Sequence, residues 1–155
     1  MSPGAYDDAM RRALDEARGA VPHGDVPVGA VLLDAGGAVL AQAHNDRERA
    51  ADPTAHAEVL VLRAAGAALR SWRLTGCTLV VTLEPCTMCA GAIGLSRLAR
   101  VVYGAVDPKA GAAGSLYDVL RDRRLNARPE VVSGVLAQEC GELLLGFFRE
   151  QRGLG

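Results

Sequence analysis

Aromatic residues are scarce in this chain: they make up 4% of 155 residues, with one Trp and two Phe. Half of the residues are nevertheless hydrophobic and 23% are charged, a balance that excludes an intrinsically disordered chain. The core must therefore rest on Val, Leu and Ala. A chain of this length fits one core, and we expect a single domain over residues 1–155.

Long apolar runs are missing as well. No stretch approaches the roughly 20 apolar residues that a membrane-spanning helix needs. The start of the chain leads into a polar segment, and the Arg11–Arg12 pair is followed by charged residues rather than by the apolar core of a signal sequence. We therefore expect a cytoplasmic protein.

An excess of positive charge is also lacking, since the formal net charge is −1. This value argues against broad, non-specific binding of nucleic acid, but it leaves a small, specific footprint open. The densest basic segment is Arg121–Arg128, with four arginines in eight residues. Such a run is usually a solvated face, yet here it is the best local candidate for phosphate contacts.

The hydrophobic pattern alternates between strand and helix along the chain. We predict strands at 29–33, 38–43, 78–83, 100–103 and 130–134, with a hairpin turn at 34–37. Helices are predicted at about 6–17, 55–69, 86–98 and 137–148, with Thr54 as an N-cap and a helical turn at 115–120. This alternation predicts an α/β sandwich with helices on both faces of one sheet.

Cysteines are few, at four, and two of them form a Cys86-x-x-Cys89 pair. In a reducing compartment a disulfide framework is not expected, so close spacing indicates a metal site. We expect the other two, Cys77 and Cys140, to be small buried hydrophobic residues.

Two short segments combine residue types that suit zinc chemistry: His56-Ala57-Glu58 and Pro85–Cys89. Ligation by His56, Cys86 and Cys89 would leave one tetrahedral position open, which is the pattern of a catalytic rather than a structural zinc site. Both segments lie at predicted helix N-termini, where the helix dipole favours thiolates. Glu58 is the candidate general base, because thiolate ligands weaken the Lewis acidity of zinc.

The cysteine pair has two plainer interpretations. A structural zinc site needs a fourth ligand, and Cys77, His23 and His44 do not have ligand spacing. A redox pair is expected near the start of a thioredoxin-like unit, whereas this pair falls in the middle of the chain. The combination of HxE with PCxxC about thirty residues later is instead the signature of zinc-dependent nucleobase deaminases.

Four longer segments carry a family resemblance: 26–31 (VPVGAV), 52–58 (DPTAHAE), 81–92 (VTLEPCTMCAGA) and 100–116 (RVVYGAVDPKAGAAGSL). With them the chain resembles the cytidine deaminase superfamily and, within it, the bacterial tRNA-specific adenosine deaminases. The resemblance implies a three-layer α/β/α sandwich with a five-stranded mixed sheet, one Zn²⁺ per chain, a homodimer and a tRNA anticodon loop as partner. The glycine-rich 107–117 segment is the part that favours tRNA.

The resemblance also implies substrate contacts, running from the base pocket to the rim of the bound RNA loop: Asn45, Val28, Ala30, Asp107, Phe148 and Arg149. Asn45 would hydrogen-bond the nucleoside, and Asp107 would meet flanking nucleotides. The residue pattern by itself favours a core position for Phe148. His44 departs from the family, which often has a large aromatic residue there, and it could alter the pocket rim or lie in solvent.

The function implied is hydrolytic deamination of the wobble adenosine of a tRNA anticodon to inosine, with Glu58 moving the protons. Two alternatives remain open at this point. One is a deaminase of a free base or nucleotide, such as cytosine, guanine or deoxycytidylate, which would use the same catalytic residues. The other is a non-catalytic, zinc-stabilised RNA-binding module, against which Glu58 and the open coordination position count.

Overall fold

The computed structural model describes residues 4–153, which form a sheet flanked by helices; residues 1–3 and 154–155 of the predicted domain lie outside this range. The helices are α1 (Asp7–Arg18), α2 (Arg47–Ala50), α3 (Ala57–Leu69), α4 (Thr87–Leu95) and α5 (Ala137–Gly153). The strands are β1 (Gly29–Leu33), β2 (Val39–His44), β3 (Thr78–Leu83), β4 (Arg100–Ala105) and β5 (Glu130–Val132). Within the described residues, no helix is long and apolar enough to cross a membrane.

The strands form one mixed sheet in the order β2-β1-β3-β4-β5. β1 pairs antiparallel with both β2 and β3, whereas β3, β4 and β5 run parallel. The β1–β2 hairpin turns at the predicted place, where the Asp34 carboxylate accepts hydrogen bonds from the amides of Gly36 and Ala38. The two parallel pairs bring the carboxyl ends of β3 and β4 to the same edge of the sheet.

Alternate residues of each central strand face opposite layers of helices. On β3, Leu79 and Val81 pack into the core under α3 and α4, whereas Val80 packs toward α1 and α5. This period of two is what a strand buried on both faces requires. The arrangement confirms the predicted three-layer α/β/α sandwich with a five-stranded mixed sheet.

Close packing of α1 on the sheet depends on Gly29 at the start of β1. A Cβ atom at this position would overlap the carbonyl oxygen of Ala13 on α1. The Gly29 amide also donates a hydrogen bond to Thr82 Oγ1 on β3. These contacts fix the position of β1. Val28, the residue directly before β1, lines the candidate active site.

The structure corrects several predicted element boundaries. Thr54 is not the N-cap of α3: its amide and hydroxyl both bond to the Asp52 carboxylate, and His56 holds the N-cap position. α4 ends at Leu95 instead of 98. Residues 115–118 are not helical, and the helical turn lies at Val119–Arg121. The short helix α2 was not predicted, because four residues carry too little periodicity.

Candidate active site

A cavity of about 160 Å³ lies at the carboxyl ends of β3 and β4, where α3 and α4 begin. Its position follows the general preference of α/β sheets for ligand sites beyond the carboxyl ends of parallel strands. The cavity is lined by Val26, Val28, Asn45, Arg47, His56, Glu58, Leu83, Glu84, Cys86, Asp107 and Ala110.

Three metal-donor side chains meet at this cavity: His56, Cys86 and Cys89. The Nδ1 atom of His56 lies 3.7 Å from the sulfur of Cys86 and 3.5 Å from that of Cys89, and the three donor atoms lie within 4.8 Å of one another. Ligands of a tetrahedral zinc ion at about 2.0–2.3 Å lie roughly 3.5–4 Å apart, so these donors fit zinc. The predicted ligand set is thus confirmed as a possible metal site.

The remaining cysteines do not join the cluster. Cys77 is 2% exposed and Cys140 is 1% exposed, and both pack in the hydrophobic core. This confirms the expectation that they serve as small buried hydrophobic residues.

Two of the donors occupy N-cap positions, which explains how local sequence aims them. His56 caps α3 and Cys86 caps α4, each with extended backbone and with no side-chain hydrogen bond to the helix. The first-turn amides of both helices therefore point toward the donor cluster. Their partial positive charge stabilises thiolates at this point.

Hydrogen bonds within the cluster shift the pKa values of the three donors. The hydrogen bond from Cys89, together with the one from His56, lowers the pKa of Cys86 to about 4. The pKa of Cys89 is raised by its hydrogen bond to Cys86 and by burial, and Cys86 also raises the pKa of His56. A thiolate held beside two proton-bearing donors can exchange those protons for a metal cation.

Glu58 is a buried carboxyl group in the first turn of α3. Its side chain lines the cavity, and the residue is 4% exposed. Burial raises the pKa of Glu58 to about 7. A carboxyl group that can both hold and release a proton near neutral pH is suited to general acid–base chemistry.

Asn45 ties the start of α3 to the segment before β1. Its Oδ1 atom accepts a hydrogen bond from the Ala57 amide at 2.9 Å, and its Nδ2 atom donates to the Val26 carbonyl at 3.1 Å. The residue is 7% exposed and lines the cavity. Asn45 therefore supports the His56–Glu58 segment, a role that the sequence did not predict.

Two charged cavity residues were missed by the sequence analysis, Arg47 and Glu84. Arg47 lies on α2, and its guanidinium donates to the fully buried carboxylate of Asp25. Glu84 follows β3 and is 2% exposed. Although burial favours its neutral form, hydrogen bonds from Ser115, Asp107 and Ala113 hold the pKa of Glu84 below its usual range. A charged residue directly after a strand rich in Leu and Val was the available signal for Glu84.

The predicted substrate contacts are only partly brought together. Val28, Asn45 and Asp107 line the cavity. Ala30 is fully buried in β1 and lies outside the cavity lining, as do Phe148 and Arg149 on α5. Phe147 is the aromatic residue of α5 that packs into the core, at 7% exposed, whereas Phe148 is 42% exposed. The core position expected for Phe148 from the residue pattern is therefore wrong.

His44 lies on the side of β2 that faces α1. Its Nδ1 atom lies 2.8 Å from the Glu16 carboxylate, which also accepts a hydrogen bond from Gln42. The His44 side chain is 21% exposed and does not line the cavity. The solvated position expected as one alternative for His44 does not match this half-buried contact, and its effect on the pocket rim stays a prediction.

The arginine-rich segment is partly neutralised by its own carboxylates. Arg121 pairs with Asp118 at 2.9 Å, and Arg124 pairs with Asp122 at 2.6 Å. Arg123 and Arg128 are exposed, and neither forms an ion pair with any residue in the described range 4–153. The guanidinium groups of Arg123 and Arg128 are therefore the ones in this segment that are not neutralised by a nearby carboxylate.

Comparison with known proteins agrees with the geometry of the site. The model of the family described as cytidine and deoxycytidylate deaminase zinc-binding region matches residues 4–105. A protein of Bacillus subtilis (strain 168) named tRNA-specific adenosine deaminase is 54% identical over 92% of this chain and 88% of its own length. A protein of the same name from Haemophilus influenzae is 48% identical over 95% of this chain and 86% of its own length.

Solved structures share the fold. One chain, solved in a study of A-to-I editing by tRNA:A34 deaminases at the wobble position of transfer RNA, superposes with a TM-score of 0.84 at 46% identity, covering 87% of this chain and 97% of that one. A guanine deaminase from Nitrosomonas europaea has a TM-score of 0.78 at 25% identity, covering 94% of this chain and 84% of that one. This chain belongs to the zinc-binding cytidine and deoxycytidylate deaminase family and is similar over nearly its whole length to the bacterial tRNA-specific adenosine deaminases.

Proposed function

We propose that this chain converts the wobble adenosine of a tRNA anticodon to inosine by hydrolysis. The observation that carries this proposal is the buried Glu58 carboxyl group beside three convergent zinc donors in one cavity. The proposal is also supported by the activity for which relatives at 54% and 48% identity are named. One domain over residues 1–155 would carry the activity in the cytoplasm, where tRNA is used.

His56, Cys86 and Cys89 would hold the zinc ion. When bound, zinc supplies a Lewis acid that makes water a stronger nucleophile near neutral pH. The donor set suits this ion because it combines one imidazole with two thiols that lie at helix N-termini.

Glu58 moves the protons of the reaction. As water attacks C6 of adenine and the C6–O bond forms, Glu58 accepts a proton and delivers it to N1. It then transfers the remaining proton from the C6 hydroxyl to N6, and the C6–N6 bond breaks as the C6 carbonyl forms, so that adenosine and water give inosine and ammonia. The raised pKa of Glu58 suits both steps. Amides in the first turn of α4 support the charge that develops beside the cavity.

Asn45 and Val28 define one wall of the base pocket in this proposal. Asn45 Nδ2 carries two hydrogens, and its hydrogen bond to Val26 uses one of them. The second would donate to the substrate nucleoside, and Val28 would pack against the base. Ala30, one residue into β1, would shape this wall from behind.

The remaining contacts would go to the RNA around the target base. Asp107 would meet flanking nucleotides, and Phe148 and Arg149 would border the RNA loop from α5. Arg123 and Arg128 would supply phosphate contacts. Because the net charge is only −1, few phosphate contacts are expected, and the salt dependence of RNA binding should be shallow.

A second candidate function is deamination of a free base, which the structural likeness to a guanine deaminase favours. The catalytic residues would be the same, so the two candidates differ in what surrounds the base. A non-catalytic zinc module is disfavoured, because it would have no use for a buried carboxyl group in the cavity.

Rates on different substrates separate the two candidates. Single-turnover inosine formation is measured on an anticodon stem-loop, beside ammonia release from free adenosine, guanine and cytosine. We expect turnover on the stem-loop and little on the free compounds, since binding energy from remote parts of the RNA positions the base. Comparable or faster turnover of a free base would assign the chain to the second candidate.

We also propose that the chain forms a homodimer through the outer face of α3 and α4. A groove of about 660 Å³ between these helices is bordered by exposed apolar residues, with Trp72 61% and Leu95 71% exposed. A second copy of the chain would cover this face, because exposed apolar patches of this kind mark protein contacts.

The molar mass in solution tests the dimer. Light scattering should give twice the chain mass for the wild type and a lower mass for Leu95→Lys. Leu145→Lys, at an exposed position on α5, is the control and should leave the mass unchanged. A monomeric wild type, or a dimer unaffected by Leu95→Lys, would contradict the proposed face.

A further inference from the structure

One buried carboxylate fastens the loop that follows β4 to the edge of the cavity. Glu84 Oε1 accepts hydrogen bonds from the Asp107 amide at 3.0 Å and from the Ser115 hydroxyl. Glu84 Oε2 accepts from the amides of Ala113 and Ser115, both at 3.0 Å. One side chain thus ties both ends of the 107–115 loop to the residue that directly precedes the Pro85–Cys86 segment.

The surroundings of Glu84 suit a carboxylate, because four hydrogen-bond donors converge on its two oxygens. Each oxygen receives two donors, so the amide nitrogen of a glutamine would face a backbone N–H in either orientation. Gly111 lies against the carboxylate so closely that a Cβ at this position would overlap it. The Ala112 amide adds a hydrogen bond to the Pro85 carbonyl at 2.8 Å.

The fastened loop forms part of the cavity wall. Asp107 and Ala110 line the cavity, and the Asp107 carboxylate accepts from the amides of Lys109 and Ala110 at 3.1 and 3.2 Å. The shape of the loop at the cavity therefore depends on two carboxylates, one buried and one at the rim. The Asp107 carboxylate orders residues 109–110, and Glu84 sets where these residues lie relative to the zinc donors.

We infer that Glu84 is a positioning residue for the RNA substrate: it holds the 107–115 loop in register with the metal-ligand segment, so that nucleotides beside the target base are bound at a fixed distance from the reacting atoms. This inference rests on the proposed function, because it takes the loop to contact RNA. Glu84 is not one of the three metal donors, and both of its carboxylate oxygens bond to the 107–115 loop. A displacement of about 1 Å in the position of the substrate can lower catalytic efficiency by about 100-fold.

Three variants test the inference in zinc-loaded protein. Glu84→Gln keeps the size of the side chain but, in either orientation of the amide, turns at least one hydrogen bond accepted from a backbone N–H into a donor–donor contact. Ser115→Ala removes one donor and leaves the carboxylate in place. Glu130→Gln is the matched control, because Glu130 is a half-exposed partner of Arg100 at the opposite edge of the sheet.

Amide hydrogen exchange is the first measurement, because it does not depend on activity. In Glu84→Gln we expect exchange of residues 107–115 to speed up by about 10-fold or more, with zinc content near one per chain. The control should match the wild type. Unchanged exchange in this loop would overturn the inference even if the chain proves inactive on RNA, which separates this test from that of the proposed function.

Steady-state kinetics on the anticodon stem-loop is the second measurement. We expect Glu84→Gln to raise KM about 10-fold in addition to lowering kcat, because the loop no longer holds the flanking nucleotides. A purely structural role would lower the active fraction, and hence kcat, at an unchanged KM. An unchanged KM would therefore overturn the inference. If Glu84→Gln does not fold, Ser115→Ala decides: faster loop exchange with a raised KM supports the inference, and wild-type values for both overturn it.

Discussion

Replacing Asn45 with Ala removes both hydrogen bonds that hold the start of α3 against the segment before β1. The Ala57 amide, a buried donor in the first turn of the helix, would lose its partner. An unsatisfied buried donor costs about 1–3 kcal/mol, and the lost bond to the Val26 carbonyl costs about 0.5–1.5 kcal/mol more. We therefore expect the free energy of unfolding to fall by about 2–4 kcal/mol, a large share of the roughly 5–15 kcal/mol typical of a domain.

Urea-induced unfolding of zinc-loaded protein, followed by circular dichroism, measures this loss. With a slope of about 2 kcal/mol per molar urea, the midpoint should fall by about 1–2 M. Gln42→Ala is the control, because Gln42 lies on the neighbouring strand β2 and its hydrogen bonds to Arg12 and Glu16 are exposed; its effect should stay below about 0.5 kcal/mol. An Asn45→Ala variant as stable as the control would refute the bracing role of Asn45.

Three further outcomes follow from the same structure. Elemental analysis should find about one zinc per wild-type chain and almost none in Cys86→Ala, with Cys77→Ala as the control; retained zinc in Cys86→Ala would contradict the ligand assignment. Asp25→Asn should lower the free energy of unfolding at pH 7. Burial opposes ionisation of Asp25, but hydrogen bonds hold its folded pKa below the usual range. The loss of stability in the variant should therefore be largest above the unfolded pKa of about 3.9. It should shrink as the pH falls through the folded pKa of Asp25. A deficit that is constant with pH would contradict this assignment. On the stem-loop, Arg123→Ala should lower the single-turnover rate more than Arg124→Ala, whose guanidinium is already ion-paired; the reverse order would contradict the proposed phosphate contacts.

The fold and the metal donors were predictable because local sequence carries them. The hydrophobic period of a strand or a helix and the residues of a hairpin turn are properties of neighbouring positions. From them the bounds of β1, β3 and the main helices were predicted to within a few residues. The donor cluster was equally local, since His56 and Cys86 each stand at the start of a helix and chemistry limits which residue types bind zinc. The sequence therefore predicted the cluster without any knowledge of the tertiary contacts.

What the sequence did not predict depends on contacts between distant segments. Glu84 meets donors 23 to 31 positions further along the chain, and no spacing pattern encodes that pairing. The N-cap of α3 was assigned wrongly because Asp52 competes for Thr54. Phe147 and Phe148 are adjacent on α5, so periodicity alone could not tell which of them enters the core.

The most direct test of the account is the reaction of an anticodon stem-loop in ¹⁸O-labelled water with wild-type chain and with Glu58→Gln. Mass spectrometry of the RNA digested to nucleosides identifies the product and the source of its oxygen. The account predicts inosine at the wobble position carrying one ¹⁸O atom, formed by the wild type and slowed by about 10²–10⁴-fold in Glu58→Gln at unchanged zinc content. Absence of inosine with the wild type, inosine without the label, or an equal rate in the variant would contradict it.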